Sequence, residues 1–135
     1  MGGLVKVAKI AKNETGGYSL YEPSDMALGV LVLFLFSSVR GSASLDMFTD
    51  WLSGEDYQEY TAIHGNIYGL ELLDGRIYVC YIQDLEEERY KHFNTTKDKM
   101  LKILVNWVKA IRSKPEPNTI LITEENEEVK FITQD

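Results

Sequence analysis

The chain has one cysteine, three prolines and two histidines in 135 residues. With Cys80 alone, no intramolecular disulfide can form, so nothing ties the chain to an oxidising compartment. Cys80 stands in the alternating run Arg76-Ile77-Tyr78-Val79-Cys80-Tyr81-Ile82, where a small strand residue is the ordinary role of a free cysteine. Scarce proline and the lack of low-complexity tracts argue against disorder. His64 and His92 have no second histidine a helical turn away and no cysteine pair to join, so neither a metal nor a cofactor is expected. Gly2-Gly3 and Gly16-Gly17 lack the spacing of a phosphate-binding loop, and no serine occupies a nucleophile elbow. Glu86-Glu87-Glu88 reads as a solvated loop rather than a catalytic carboxylate set. The expectation is a protein with no catalytic residues, not an enzyme.

The longest apolar run, Met26 to Phe36, reaches Val39 only by including Ser37 and Ser38. A membrane-spanning helix needs about 20 such residues. Glu14, Glu22 and Asp25 precede the run, where a signal peptide would carry positive charge. The reading is a buried element of a cytoplasmic, monomeric protein with no membrane partner. Its length favours a helix, although the β-rich stretch Val30 to Phe36 also suits a strand and Gly29 weakens a helix.

What the chain does have is a hydrophobic share of 44% and an aromatic share of 11%, enough for a core without staples. Its length fits one domain over 1–135, burying roughly two-thirds of the unfolded surface. Leu4 to Ile10 and Tyr18 to Tyr21 read as strands, separated by turn residues at Asn13 to Gly17. Ser24 is placed to cap the apolar run, and Ser44 to cap a helix carrying Leu45, Phe48, Trp51 and Leu52. Tyr57 to Ile63, Ile67 to Leu73 and Arg76 to Ile82 form a meander with a His64-Gly65-Asn66 turn and an Asp74-Gly75 hairpin. Thr95 and Asp98 are spaced as a capping pair for a helix reaching Arg112, with an apolar stripe Leu101, Leu104, Val105, Val108 and Ile111, widened by Met100, Ile103 and Trp107. Thr119 to Thr123 and Val129 to Thr133 form a terminal hairpin around the acidic turn Glu124 to Glu128. The order implies an α+β fold: a central antiparallel sheet with helices packed mainly on one side.

Charge is segregated along the chain. Net charge is −7, yet residues 97–114 carry six basic side chains and one acidic. Residues 45–96 carry eleven acidic and three basic, and residues 115–135 six acidic and one basic. Trp107 falls on the apolar side of the basic helix, and a pI near 4.8 opposes phosphate attraction, so direct nucleic-acid binding is not expected. Acidic loops on a rigid sheet suit encounter with a basic protein surface. The candidate contact residues are Asp50, Glu55, Asp56, Glu59, Asp84, Glu86, Glu87, Glu88, Glu124, Glu125, Glu127 and Glu128, with Tyr57, Tyr60, Tyr68, Tyr78 and Tyr90 as possible anchors. The plain alternative is that these loops only keep the protein in solution.

A pattern runs through Trp51, Tyr60, Gly65-Asn66, Ile67-Tyr68-Gly69-Leu70-Glu71-Leu72, Asp74-Gly75-Arg76-Ile77-Tyr78-Val79, Phe93 and Leu104-Val105-Asn106-Trp107. Over residues 45–133 it resembles the bacterial immunity proteins of contact-dependent growth inhibition and polymorphic toxin systems. The resemblance implies a cytoplasmic, non-enzymatic protein that binds one cognate toxin domain, often a nuclease, and occludes its active site. The apolar segment 26–39 lies outside it. Other readings of the charge pattern are a regulatory or adaptor module with an unrelated basic partner, a small carboxylate enzyme, and a mimic of nucleic acid.

Overall fold

A computed structural model describes residues 5–21, 23–53, 62–64, 68–73, 75–81, 93–113 and 117–134. In chain order the elements are β1 (Lys6–Lys12), β2 (Tyr18–Tyr21), α1 (Met26–Ser38), α2 (Ser42–Ser53), β3 (Ala62–His64), β4 (Tyr68–Leu73), β5 (Arg76–Tyr81), β6 (Asn94–Thr95), α3 (Lys97–Ile111), β7 (Thr119–Glu125) and β8 (Glu128–Gln134). The α+β class holds. The strands, however, divide into two antiparallel sheets of order β2-β1-β7-β8 and β3-β4-β5-β6, instead of one central sheet.

The apolar run explains the division. α1 is apolar around its whole circumference, so one covered side is not enough. It packs against β1 and β2 of the first sheet and against β4 and β5 of the second. α3 likewise touches β8 and β5, so these helices contact both sheets instead of lying on one side of a single sheet. Leu28, Leu31, Val32, Phe34 and Leu35 are all but fully buried, each contributing roughly 1.5–3 kcal/mol of transfer free energy. Phe34 meets Phe48 of α2 edge to face at 5.1 Å. The buried apolar residues of the helices and both sheets form one cluster.

On α3 the buried face is Met100, Ile103, Leu104, Trp107 and Val108, while Val105 is 48% exposed. The stripe is thus rotated from the expected one, because the largest side chains take the interior. Trp107 decides the rotation: its Nε1 donates to the Val39 carbonyl and its ring lies 5.7 Å from that of Phe131. The lysines do stay outward or half-buried.

Each expected cap sits elsewhere. Asp25, not Ser24, accepts from Leu28 N at 3.0 Å, because Ser24 Oγ already accepts from Val7 N at 2.9 Å. Thr96, not Thr95, caps α3 by accepting from Lys99 N, since Thr95 is drawn into β6 opposite Ile77. α2 begins at Ser42, and Ser44 Oγ accepts from the N–H groups of Arg40 and Gly41 in the bend before the helix. His64 ends β3 opposite Gly69 instead of lying in a turn. The β4–β5 hairpin is as expected, with Leu73 opposite Arg76 and Gly75 at φ +79°. Cys80 is buried and is in no disulfide. Among the described residues no helix is long and apolar enough to cross a membrane.

Gly29 gives a direct test of how tightly α1 is held. Alanine gains about 1 kcal/mol of helix propensity over glycine. A Cβ here would sit 2.9 Å from Pro23 Cγ, on a ring that cannot swing away. Overpacking of this kind costs roughly 1–3 kcal/mol. Gly29→Ala is therefore expected to lower the urea midpoint, and the same change in a Pro23→Ala background to raise it. Equal effects in both backgrounds would show that Pro23 does not set the packing.

Candidate protein-binding site

The terminal hairpin carries four of the expected acidic residues at its tip. Glu125 pairs with Glu128, leaving a two-residue turn of Asn126 and Glu127 instead of a five-residue loop. Both turn residues have positive φ, 52° and 68°. That geometry matches the twist of a tight hairpin and suits asparagine, but for glutamate it costs about 1 kcal/mol or more.

An ionic junction holds this turn in place. Arg76 Nη2 donates to Glu127 Oε1 at 2.6 Å, and Arg76 Nε donates to Asn94 Oδ1 at 2.6 Å. The hairpin of one sheet is thereby fastened to β5 and β6 of the other. Glu127 N donates to Glu124 Oε1 at 2.8 Å. Glu124 Oε2 lies 4.0 Å from Lys6 Nζ, which also reaches Asp25 Oδ1 at 3.7 Å. From the other side Lys99 Nζ approaches the Asn126 carbonyl at 3.4 Å and Glu128 at 3.8 Å. A groove of about 300 Å³ lies over the junction, lined by Lys6, Ala27, Arg76, Phe93, Asn94, Glu124 and Glu127.

The acidic candidates therefore play different parts. Glu124 was expected to be exposed and is instead 7% exposed, because its carboxylate faces inward to the turn and to Lys6. Glu127 is half-buried in its pair with Arg76. Glu125 and Glu128 are exposed at the tip, and Asp50 is exposed on α2, which packs against α3. Tyr68 and Tyr78 are partly buried, with the Tyr68 ring 5.3 Å from that of Tyr81. Glu55, Asp56, Glu59, Asp84, Glu86, Glu87, Glu88, Tyr57, Tyr60 and Tyr90 lie outside the described residues.

The structure adds a surface that the charge pattern did not suggest. Ala8 and Ile10 of β1 point into the core, so Val5, Val7 and Lys9 face outward. Lys9 pairs with Tyr21 and Leu121, and Leu121 with Ile132, which makes one row across the sheet. Val7, Thr123 and Lys130 make a second row. Val5, Val7, Tyr21 and Ile132 are all exposed. Between Val5, Thr123, Lys130 and the acidic tip lies a shallow groove of about 480 Å³. The available signal was Val5 and Val7, apolar on the alternating side of β1 and the residue before it that a solvated face usually fills with polar residues.

No protein-family model matches this chain, and neither a curated protein nor a solved structure matches it. Among the described residues, no group of three or more histidine, cysteine, aspartate or glutamate side chains is placed to hold a metal ion.

Burial raises the Glu127 pKa, but the Thr95 hydroxyl, the Arg76 guanidinium and the Lys99 ammonium outweigh it, leaving the pKa below the ordinary glutamate value. Thr95 Oγ1 is fully buried and has no partner at full hydrogen-bonding geometry, so its share is the weaker one. The folded state thus binds this proton less readily than the unfolded chain. The stabilisation is complete above the unfolded-state pKa of roughly 4.3 and is lost as pH falls through the folded value. Glu127→Gln is expected to lower the unfolding free energy from urea titration at neutral pH by less than about 1 kcal/mol, since both partners are partly exposed. The gap to wild type should close as pH is lowered below the ordinary glutamate range. A gap that is constant with pH would mean that the ion pair contributes nothing.

Proposed function

We propose that the chain is an immunity protein, which binds a cognate bacterial toxin domain and occludes its active site. The binding surface is the acidic hairpin tip together with the open face of its sheet. The supporting observation is the fixed tip: the turn keeps a glutamate in a costly conformation, fastened by Arg76, while Glu125 and Glu128 are exposed, the latter 3.8 Å from Lys99, beside a sheet face that bears Val5, Val7, Tyr21 and Ile132. A preorganised tip loses little conformational entropy when it binds. Exposed carboxylates steer a basic partner, of which a nuclease cleft is the natural example, and Tyr21, Leu121 and Ile132, in a row that Lys9 interrupts, supply area that excludes water. The protein acts in the cytoplasm, where a toxin domain would meet its target, and needs no cofactor for this role.

Co-expression with the toxin open reading frame adjacent to its gene tests the reading. The two chains should co-purify, and growth should be rescued. Failure of both results would end the proposal. Within the complex, Glu125→Gln with Glu128→Gln should slow association roughly tenfold at low salt and much less at high salt. Neutralising Glu86, Glu87 and Glu88 together should add to that effect. Tyr21→Ala with Ile132→Ala should instead speed dissociation. Unchanged rates in the Glu125/Glu128 and Tyr21/Ile132 variants would move the interface off this sheet.

A further inference from the structure

The opposite end of the same sheet holds a second feature, independent of the hairpin tip. α1 and α3 both finish there. Between their ends lies a small enclosed cleft of about 110 Å³, walled by Tyr18, Phe36, Trp107 and Ile111 and flanked by Arg40 and Arg112. It continues past Tyr18, Phe36 and Arg40 into an open lobe of about 280 Å³ beside Gly17 and Ser37. The two lobes together enter the size range of ligand clefts, roughly 300–1,000 Å³.

We propose that this cleft binds a small organic anion carrying a ring-sized apolar body. The inner lobe is of the order of a cavity that holds one benzene ring, about 150 Å³. Its walling side chains are aromatic or aliphatic, and the two polar atoms they carry are already satisfied: Trp107 Nε1 donates to the Val39 carbonyl and Tyr18 Oη donates to the Pro117 carbonyl at 2.7 Å. They offer packing and ask for no hydrogen bond from a ligand. The rim is the reverse. Arg40 and Arg112 are exposed, and among the described residues neither guanidinium has an ion-pair partner. Two planar forks at the mouth of an apolar slot fit a carboxylate or phosphate on an aromatic or aliphatic body. The negative ends of two helix dipoles favour cations at this place. That accounts for basic residues here, but not for an aromatic slot left open between them.

The test uses phenyl phosphate and phenylacetate as probes, with the Trp107 indole N–H resonance of the full chain as reporter. At least one probe should shift that resonance saturably, and the tighter of the two identifies the anion. Inorganic phosphate and benzyl alcohol should each bind at least about tenfold more weakly, since each lacks half of the recognition. Arg40→Gln with Arg112→Gln should weaken binding by about tenfold or more, while a well-dispersed amide spectrum reports an intact fold. Lys102→Gln with Lys109→Gln removes the same charge outside the cleft and should leave binding unchanged. The proposal is overturned if neither probe gives a saturable shift, if inorganic phosphate does as well as phenyl phosphate, or if both double variants weaken binding equally. None of these results depends on a toxin partner.

Discussion

The burial of α1 is the constraint on which the rest of the structure depends. A helix with no polar side must be enclosed, and a single sheet can cover only one of its flanks. The chain therefore builds two sheets and places α1 against strands of each. The first of these sheets joins strands from both ends of the described chain. β1 and β7, far apart in sequence, pair over six residues, and so the N-terminal and C-terminal strands share one surface. The exposed row across that surface exists only because α1 draws the inner face of the sheet inward.

The junction at the hairpin tip illustrates what local sequence rules do and do not reveal. Asp74-Gly75 announced its hairpin because glycine supplies positive φ without cost. Asn126-Glu127 did not, because a glutamate at that position is unfavourable by itself. It is accommodated through Arg76, fifty-one residues away, and through the Glu124 carboxylate behind it. The same long-range contacts explain why Glu124 is buried. Nothing in the run Glu124-Glu125-Asn126-Glu127-Glu128 distinguishes the inward carboxylate from the outward ones until the strand register is known.

Much else was readable, to within a residue or two. The length of the apolar run pointed to a buried helix, and the amphipathic pattern of residues 97–112 located α3. The errors share one cause: a competing partner. Ser24 is a good cap residue, but Val7 takes its hydroxyl. Thr95 is equally good, but pairing with β5 takes its backbone. The apolar stripe on α3 turned because Trp107 has a hydrogen-bond acceptor waiting at Val39, a requirement that periodicity does not encode. The number of sheets was hidden for a stronger reason: alternation marks which face of a strand is buried, but not which strands are neighbours.

The charge segregation along the chain acquires a physical meaning from the direction of the helices. α1 begins at the ionic junction, where Asp25 caps it beside Lys6 and Glu124. α3 begins there too, with Asp98 in its first turn and Lys99 reaching the hairpin tip. Both end at the aromatic cleft, beside Arg40 and Arg112. Two dipoles thus point the same way: Asp25 and Asp98 suit their positive ends and Arg40 and Arg112 their negative ends, worth about 0.3–1 kcal/mol apiece, while Lys97 and Lys99 stand in the first turn of α3 against its dipole. The acidic tip and the basic cleft are therefore not separate decorations of the surface. They are the two ends of one pair of helices, with exposed carboxylates at one and exposed guanidinium groups at the other. The interior of α1, which carries no charge, keeps them apart.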